Sequence, residues 1–235
     1  MHSLSKLFFK SDVHRECPKD PSVNPQCIEF EVDNWGISQF IVDTLVPAVG
    51  VHPFPLNELM LMVASVCRFK PGHIIEWGTH LGKSARVFYE TANHFGLDVA
   101  IHSIDLPDDI AHQEHPGFQR GMLVKELTGV RLYQGDGLNM CREIAGWIAP
   151  TERALVFIDG DHHYESVLRE LTGVMACLPQ ANVLLHDTFF QSADSGYNVG
   201  PYQAIVSALS SAPRIYRTIA SHTGLPGMTL LYQSV

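Results

Sequence analysis

One short run, IIEWGTHLGKS at residues 74–84, constrains the fold of this chain more than any other. Residues 74–77 read as a buried strand and 83–94 as the helix after it. A strand that breaks at a glycine and restarts as a helix makes a crevice lined with free backbone N–H groups. Gly78 carries no Cβ, so a ligand can come close to the main chain there. Gly82 permits tight packing of helix on strand. The spacing is E-x-G-x-x-x-G-x-S, whereas a pyrophosphate-binding turn has G-x-G-x-x-G. The crevice is therefore expected to hold a different ligand.

From residue 73 onward, apolar runs and helical patterns alternate. Strands are expected at 73–77, 99–105, 130–134, 154–159 and 181–186, and helices at 83–95, 118–128, 138–148 and 163–178. Such alternation predicts an α/β fold, a doubly wound and mostly parallel sheet covered by helices on both faces. The end differs: a helix at 201–211 precedes two strand-like runs, 214–220 and 228–233, joined by the turn-rich SHTGLPG. Ahead of the sheet, residues 1–28 carry Pro18, Pro21 and Pro25 and read as an extended arm. A short helix is expected within 35–50. An amphipathic one follows over 56–68, capped by Asn57, with Leu59, Met60, Met62, Val63 and Val66 on its buried face. The division expected is an N-terminal arm and helical cap, 1–70, and one α/β domain, 71–235.

A chain of 235 residues with 46% hydrophobic and 17% charged content can fill such a core. The net charge of −9, without a basic run, argues against nucleic acid as a partner. No apolar stretch reaches the length of a membrane helix, and the first residues have too short an apolar run for a signal peptide. The five cysteines, Cys17, Cys27, Cys67, Cys141 and Cys177, are scattered, which predicts reduced thiols and a cytoplasmic setting.

In open α/β sheets, ligands bind beyond the carboxyl ends of the strands. Five acids fall there: Glu76, Asp105, Asp136, Asp159 and Asp187. Any one of them alone would pass for a turn or helix-cap residue. With Glu76, Gly78, Gly82 and Ser84, the chain resembles the class I S-adenosylmethionine (SAM) methyltransferases, most closely in this motif the catechol O-methyltransferase type. The runs IDGDHHYE (158–165), LLHD (184–187) and GPYQAI (200–205) resemble a small-molecule O-methyltransferase family that includes macrolide-sugar O-methyltransferases and cephalosporin hydroxylase-like proteins.

The resemblance implies a Rossmann-like class I methyltransferase sheet whose last strand inserts antiparallel. It implies SAM as cofactor, with Glu76 and Asp159 at its methionine end and Gly78, Thr79, His80, Gly82 and Ser84 around the turn. Asp105 would take the ribose hydroxyls, with Leu106 alongside, and Gly135 and Asp136 would pass the adenine. Asp159, His186 and Asp187 occupy the places of a metal site. His186 stands where an acid is usual, which leaves Mg²⁺, a softer ion such as Mn²⁺ or Zn²⁺, or no ion as alternatives. His162 follows Asp159 by three residues, the offset at which the catechol enzymes place a catalytic lysine. It is thus the expected general base, with Asp159 as the second catalytic residue. Asp161 is expected to orient His162 or reach the metal, and His163 to cap a helix or lie on the surface. His112, His115, Tyr197 and Tyr202 lie in two long loops where substrate contacts are expected.

The activity expected is O-methylation of a small hydroxylated molecule, a sugar or phenolic natural product, with a homo-oligomer as the partner state. Two other classes remain open at this point: a SAM-binding or hydroxylase-like relative without methyl transfer, and a nicotinamide-dependent oxidoreductase. The turn spacing and the missing third glycine speak against the latter.

Overall fold

The computed structural model describes residues 29–110 and 116–233. Cys17, Cys27, His112 and His115, and the expected N-terminal arm over 1–28, lie outside them. The chain is helical without a break from α1 (Asn34–Phe40) through a wider π-type turn (Ile41–Leu45) to α2 (Val46–Val49). Asp33 caps the start, its carboxylate accepting from the N–H groups of Trp35 and Gly36. The longer α3 spans Leu56–Phe69. Its cap is Pro55 rather than Asn57, whose side chain instead reaches 164 residues along the chain to the carbonyl of Ser221.

The sheet contains β1 (His73–Trp77), β2 (Ala100–Asp105), β3 (Val130–Gln134), β4 (Ala154–Ile158), β5 (Asn182–His186), β6 (Arg217–Ala220) and β7 (Met228–Tyr232). Their order is β3-β2-β1-β4-β5-β7-β6. The first five strands pair in parallel, and β7 lies antiparallel between β5 and β6. The connecting helices are α4 (Lys83–Phe95), α5 (Gly137–Ala145), α6 (Tyr164–Cys177) and α7 (Val199–Ser211).

Side chains alternate across the central strands, and each face builds its own core. Ile74, Leu155, Phe157, Leu184 and Leu230 face a cluster filled by α1–α4. Ile75, Trp77, Val156, Ile158, Val183, Leu185 and Leu231 face one filled by α5, α6 and α7. The N-terminal helices thus share a core with the sheet. In α3, Leu59, Met62, Val63, Val66 and Cys67 are completely buried, and so is one acid, Glu58.

No regular helix forms over 118–128. A single 3-10 turn, Gly117–Gln119, is followed by turns. The N–H groups of Gly121 and Leu123 donate to the carbonyls of His80 and Leu81. These long-range bonds take the donors a helix would need, and Gly121, at φ 63°, bends the chain toward Leu132. Strand order reverses between β1 and β4, and the crevice at this switch point lies beyond their carboxyl ends. The expected site residues lie along that edge, in the last residues of β1, β2 and β5, in the loops that follow the strands and, for Ser84, in the first turn of α4.

Candidate active site

The turn after β1 is set by three left-handed residues, Gly78 (φ 96°), His80 (φ 45°) and Gly82 (φ 86°). Four of its N–H groups are engaged. Those of Gly78 and Thr79 donate to the Ile104 carbonyl, that of His80 to Asp105 Oδ2, and that of Gly82 to the Thr79 carbonyl. They clamp the turn onto β2. Gly82 differs from expectation: a Cβ there would meet Val124 of the 121–124 turn at 2.7 Å, so the tight packing is not against a strand.

Glu76 lies beneath this turn, 1% exposed. Ser103 Oγ donates to its Oε1 at 2.5 Å and is itself 2.7 Å from Thr79 Oγ1. Oε2 is buried without a partner. Burial pushes the Glu76 carboxyl up to about 7, against the hydrogen bonds of Ser103 and Ser84, which lower it; the nearby Asp159 and Asp105 raise it further. A buried acid with an unanswered oxygen is the partner that a ligand's cationic group requires.

The sign of the pH effect follows. Because the folded-state value is raised, the unstrained state is the protonated one. Stability is complete below the unfolded value near 4.5 and falls as pH rises toward about 7. The loss is on the order of 3 kcal/mol. Glu76→Gln should therefore gain stability over the parent protein between pH 5 and pH 8 in urea unfolding. A difference that stays constant across that range would refute the assignment.

Asp105 accepts from the N–H groups of Leu106 (Oδ1, 2.9 Å) and His80 (Oδ2, 3.0 Å). A partner the sequence did not reveal, Arg120, places Nε 3.2 Å from Oδ2 and also binds Asp108. Gly135 donates its N–H to the Asp105 carbonyl. The Asp136 carboxylate caps α5 through the N–H of Asn139 and pairs with Arg169, whose hydrogen bond holds it below the usual carboxylate range. It is thus engaged as a helix cap.

Beyond β4 and β5, four expected residues converge. His186 Nδ1 is 3.0 Å from Asp159 Oδ1 and 3.4 Å from Asp187 Oδ2. His162 Nε2 is 3.2 Å from Asp187 Oδ2 and 4.0 Å from Asp159 Oδ1. One donor atom each from Asp159, His186 and Asp187 lies within 4.8 Å of the other two, which fits a divalent ion. Tyr197 donates its hydroxyl to Asp187 Oδ1 at 3.2 Å, whereas Tyr202 stacks on Phe190. Asp161 turns away from the cluster, binding His163 and Ser166; it neither orients His162 nor reaches the metal position. His163 stands at the start of α6, exposed, and its side chain makes no capping bond. Gly200 holds His162 in place from behind, since a Cβ there would lie 2.3 Å from the His162 carbonyl oxygen.

The residue missed entirely is Glu58. Its Oε2 is 3.0 Å from His186 Nε2, and its Oε1 accepts the Gly227 N–H at 2.7 Å. Burial alone would push the His186 ring down, but Asp159, Asp187 and Glu58 outweigh it and hold the imidazole well above its ordinary range. Asp187 responds in the other direction: against burial, His186 and His162 draw it below the usual carboxylate value. The signal in the sequence was one acid inside an apolar helix, LNELMLMV.

The parallel sheet with its antiparallel β7, the glycine turn after β1 and the acids beyond β2, β4 and β5 define a class I SAM-dependent methyltransferase. Residues 75–188 match the family described as a methyltransferase domain. No curated protein matches by sequence. Among solved structures, the chain is similar to the calicheamicin methyltransferase CalS11 (TM-score 0.55, 16% identity, 91% of this chain and 99% of that one). It is also similar to an O-methyltransferase from Bacillus cereus in complex with SAH (TM-score 0.54, 15% identity, 84% and 90%). A third is TomG of Streptomyces achromogenes, an O-methyltransferase involved in tomaymycin synthesis, in complex with SAM (TM-score 0.52, 18% identity, 85% and 88%). At these identities the likeness is one of fold. No helix among the described residues is long and apolar enough to cross a membrane.

Proposed function

We propose that this chain transfers the methyl group of SAM to a hydroxyl of a small molecule, a sugar or phenolic natural product. The observation that carries the reading is the double position of Asp159. Its carbonyl packs against Gly78 so closely that a Cβ there would lie 2.0 Å away, while its carboxylate meets His186 and His162. One residue joins the turn that would hold the donor to the cluster that would meet the acceptor. The methyltransferase-domain match and the SAM- and SAH-bound neighbours support the same cofactor.

SAM supplies its methyl as an electrophile on a positively charged sulfur. Glu76, through its unpartnered Oε2, and the main chain at Asp159 would take the methionine end. Asp105 would take the ribose hydroxyls, since a carboxylate oxygen has room for a second donor. Gly135 would pass the adenine by its main chain. The acceptor hydroxyl would enter from the solvent side of the cluster, where His162 is half exposed, and would pass its proton to bulk water at that open edge. Asp159, His186 and Asp187 would hold a divalent ion, whose chemistry would be to acidify that hydroxyl. Carbon–oxygen bond formation and carbon–sulfur cleavage then occur in line, with positioning supplying much of the acceleration.

Calorimetry with SAM and with SAH tests the cofactor, with micromolar binding expected for both. Labelled SAM incubated with a panel of sugars, phenols and catechols tests the transfer. Binding without label in any hydroxylated product would leave a SAM-binding relative that does not methylate, and no binding would remove the reading altogether.

A further inference from the structure

We propose that Asp159, His162, His186 and Asp187 together form a two-histidine, two-carboxylate centre for a divalent transition ion, with Glu58 fixing the His186 ring from behind. This deepens the proposed function by naming the ion of that site, and it assigns His162 to the ion rather than to proton transfer.

Asp159, His186 and Asp187 each bring one donor atom within 4.8 Å of the other two, and His162 stands beside Asp187 at the edge of this group. Going round the four, Asp159 Oδ1 to His186 Nδ1 is 3.0 Å, His186 Nδ1 to Asp187 Oδ2 is 3.4 Å, and Asp187 Oδ2 to His162 Nε2 is 3.2 Å. The last edge, His162 to Asp159, is 4.0 Å. An ion bonded at about 2.1 Å to two neighbouring donors separates them by roughly 3.0 Å at right angles, or 3.4 Å at the tetrahedral angle. Three edges match these separations. The open edge belongs to His162, the most exposed of the four, on the turn before α6, and His162 would have to turn toward Asp159 to join the ion.

Glu58 decides which nitrogen of His186 is available. It is completely buried, and its Oε2 sits 3.0 Å from Nε2. Its other oxygen is pinned by the Gly227 N–H, so the carboxylate cannot swing away. When an ion displaces the Nδ1 proton, a ring that still donates Nε2–H to Glu58 turns the Nδ1 lone pair to the side where Asp159 and Asp187 lie. This carboxylate–histidine arrangement is the usual support of a metal-ligating imidazole. The edge of Phe54, with its centroid 4.9 Å from that of His186, keeps the ring from turning.

Charge points the same way. Three carboxylates meet here, and among the described residues the ion-pair partners of Asp159, Asp187 and Glu58 are histidines. Two imidazole nitrogens favour Mn²⁺, Fe²⁺, Co²⁺ or Zn²⁺ over Mg²⁺, which prefers oxygen donors and keeps its waters.

The test uses chelator-treated full-length protein. Calorimetry with MnCl₂ should show one ion per chain, bound at least tenfold more tightly than MgCl₂. Added Co²⁺ should give visible d–d bands characteristic of mixed nitrogen and oxygen ligation. His162→Ala should weaken Mn²⁺ at least tenfold and alter the Co²⁺ spectrum, which a residue serving only as a base would not do. Glu58→Gln should weaken Mn²⁺ by about ten- to a hundredfold. SAM affinity, measured separately, checks that each variant is folded, and His162→Ala, at a half-exposed position, keeps the test valid if Glu58→Gln does not fold. Absence of stoichiometric Mn²⁺, equal affinity for Mg²⁺, or unchanged Mn²⁺ binding in His162→Ala would each overturn the proposal. If SAM binds and no ion does, this inference fails while the methyltransferase reading stands; ion binding without SAM gives the reverse.

Discussion

Gly78→Ala is expected to destabilise the protein by about 2–5 kcal/mol and to abolish measurable SAM binding. Two costs combine. The residue has φ 96°, a conformation that an L side chain resists. An added Cβ would also lie 2.0 Å from the Asp159 carbonyl oxygen and 2.8 Å from its carbon, both main-chain atoms with no rotamer to adopt. Relief requires the end of β4 to move away from β1, and that movement carries Asp159 out of the site. Gly96→Ala supplies the control. Gly96 also has positive φ, at 66°, but nothing lies within 4 Å of the position an added methyl would take, so only the backbone cost, about 1 kcal/mol, applies. Urea unfolding of the two variants, with SAM calorimetry on each, measures the difference. Equal stability losses would mean that the β1–β4 approach is soft and that Gly78 does not fix Asp159.

The same contact shows where sequence reasoning succeeds and where it stops. The parallel strands were legible from their spacing between helical patterns: β1 and β3 fall on the expected residues, and β2, β4 and β5 begin or end within one. Four of them, β1, β2, β4 and β5, are buried over nearly their whole length, while β3 at the sheet edge is largely exposed. The cluster of Asp159, His162, His186 and Asp187 was legible for the same reason, since short turns after two adjacent strands must meet.

What was not legible depends on partners distant in sequence. The pattern Phe118, Leu123, Val124, Leu127 resembles a helix, yet main-chain bonds to His80 and Leu81 hold that segment in turns. Arg120 reads as a surface residue until Asp105 is seen beside it. Glu58 lies 128 residues from His186, and only the packing of α3 over the end of β5 brings them together. Asn57, its neighbour, has the look of a cap, but its true partners lie in the loop between β6 and β7.

Asp159→Asn is expected to cut turnover by about a thousandfold, close to 4 kcal/mol in the barrier, while SAM still binds within about tenfold of the parent affinity. The substitution keeps the shape of the side chain and all its main-chain contacts. Asp159 N–H still donates to the Trp77 carbonyl, and the Asp159 carbonyl still lies against Gly78, so the turn that would receive the donor is undisturbed. The charge is what disappears. His186 Nδ1 loses an anionic neighbour at 3.0 Å, and His162 loses one at 4.0 Å. Asp187 and Glu58 are then the carboxylates left against two imidazoles, and the acceptor oxygen would develop its negative charge in a cluster no longer organised to receive it. Since the preorganised field at the reacting atoms is usually the largest single contribution to catalysis, the loss falls on kcat rather than on cofactor affinity. Steady-state kinetics beside SAM calorimetry separates the two. Turnover within tenfold of the parent would show that the acceptor is activated elsewhere, and a collapse of SAM affinity with kcat intact would place Asp159 on the donor side alone.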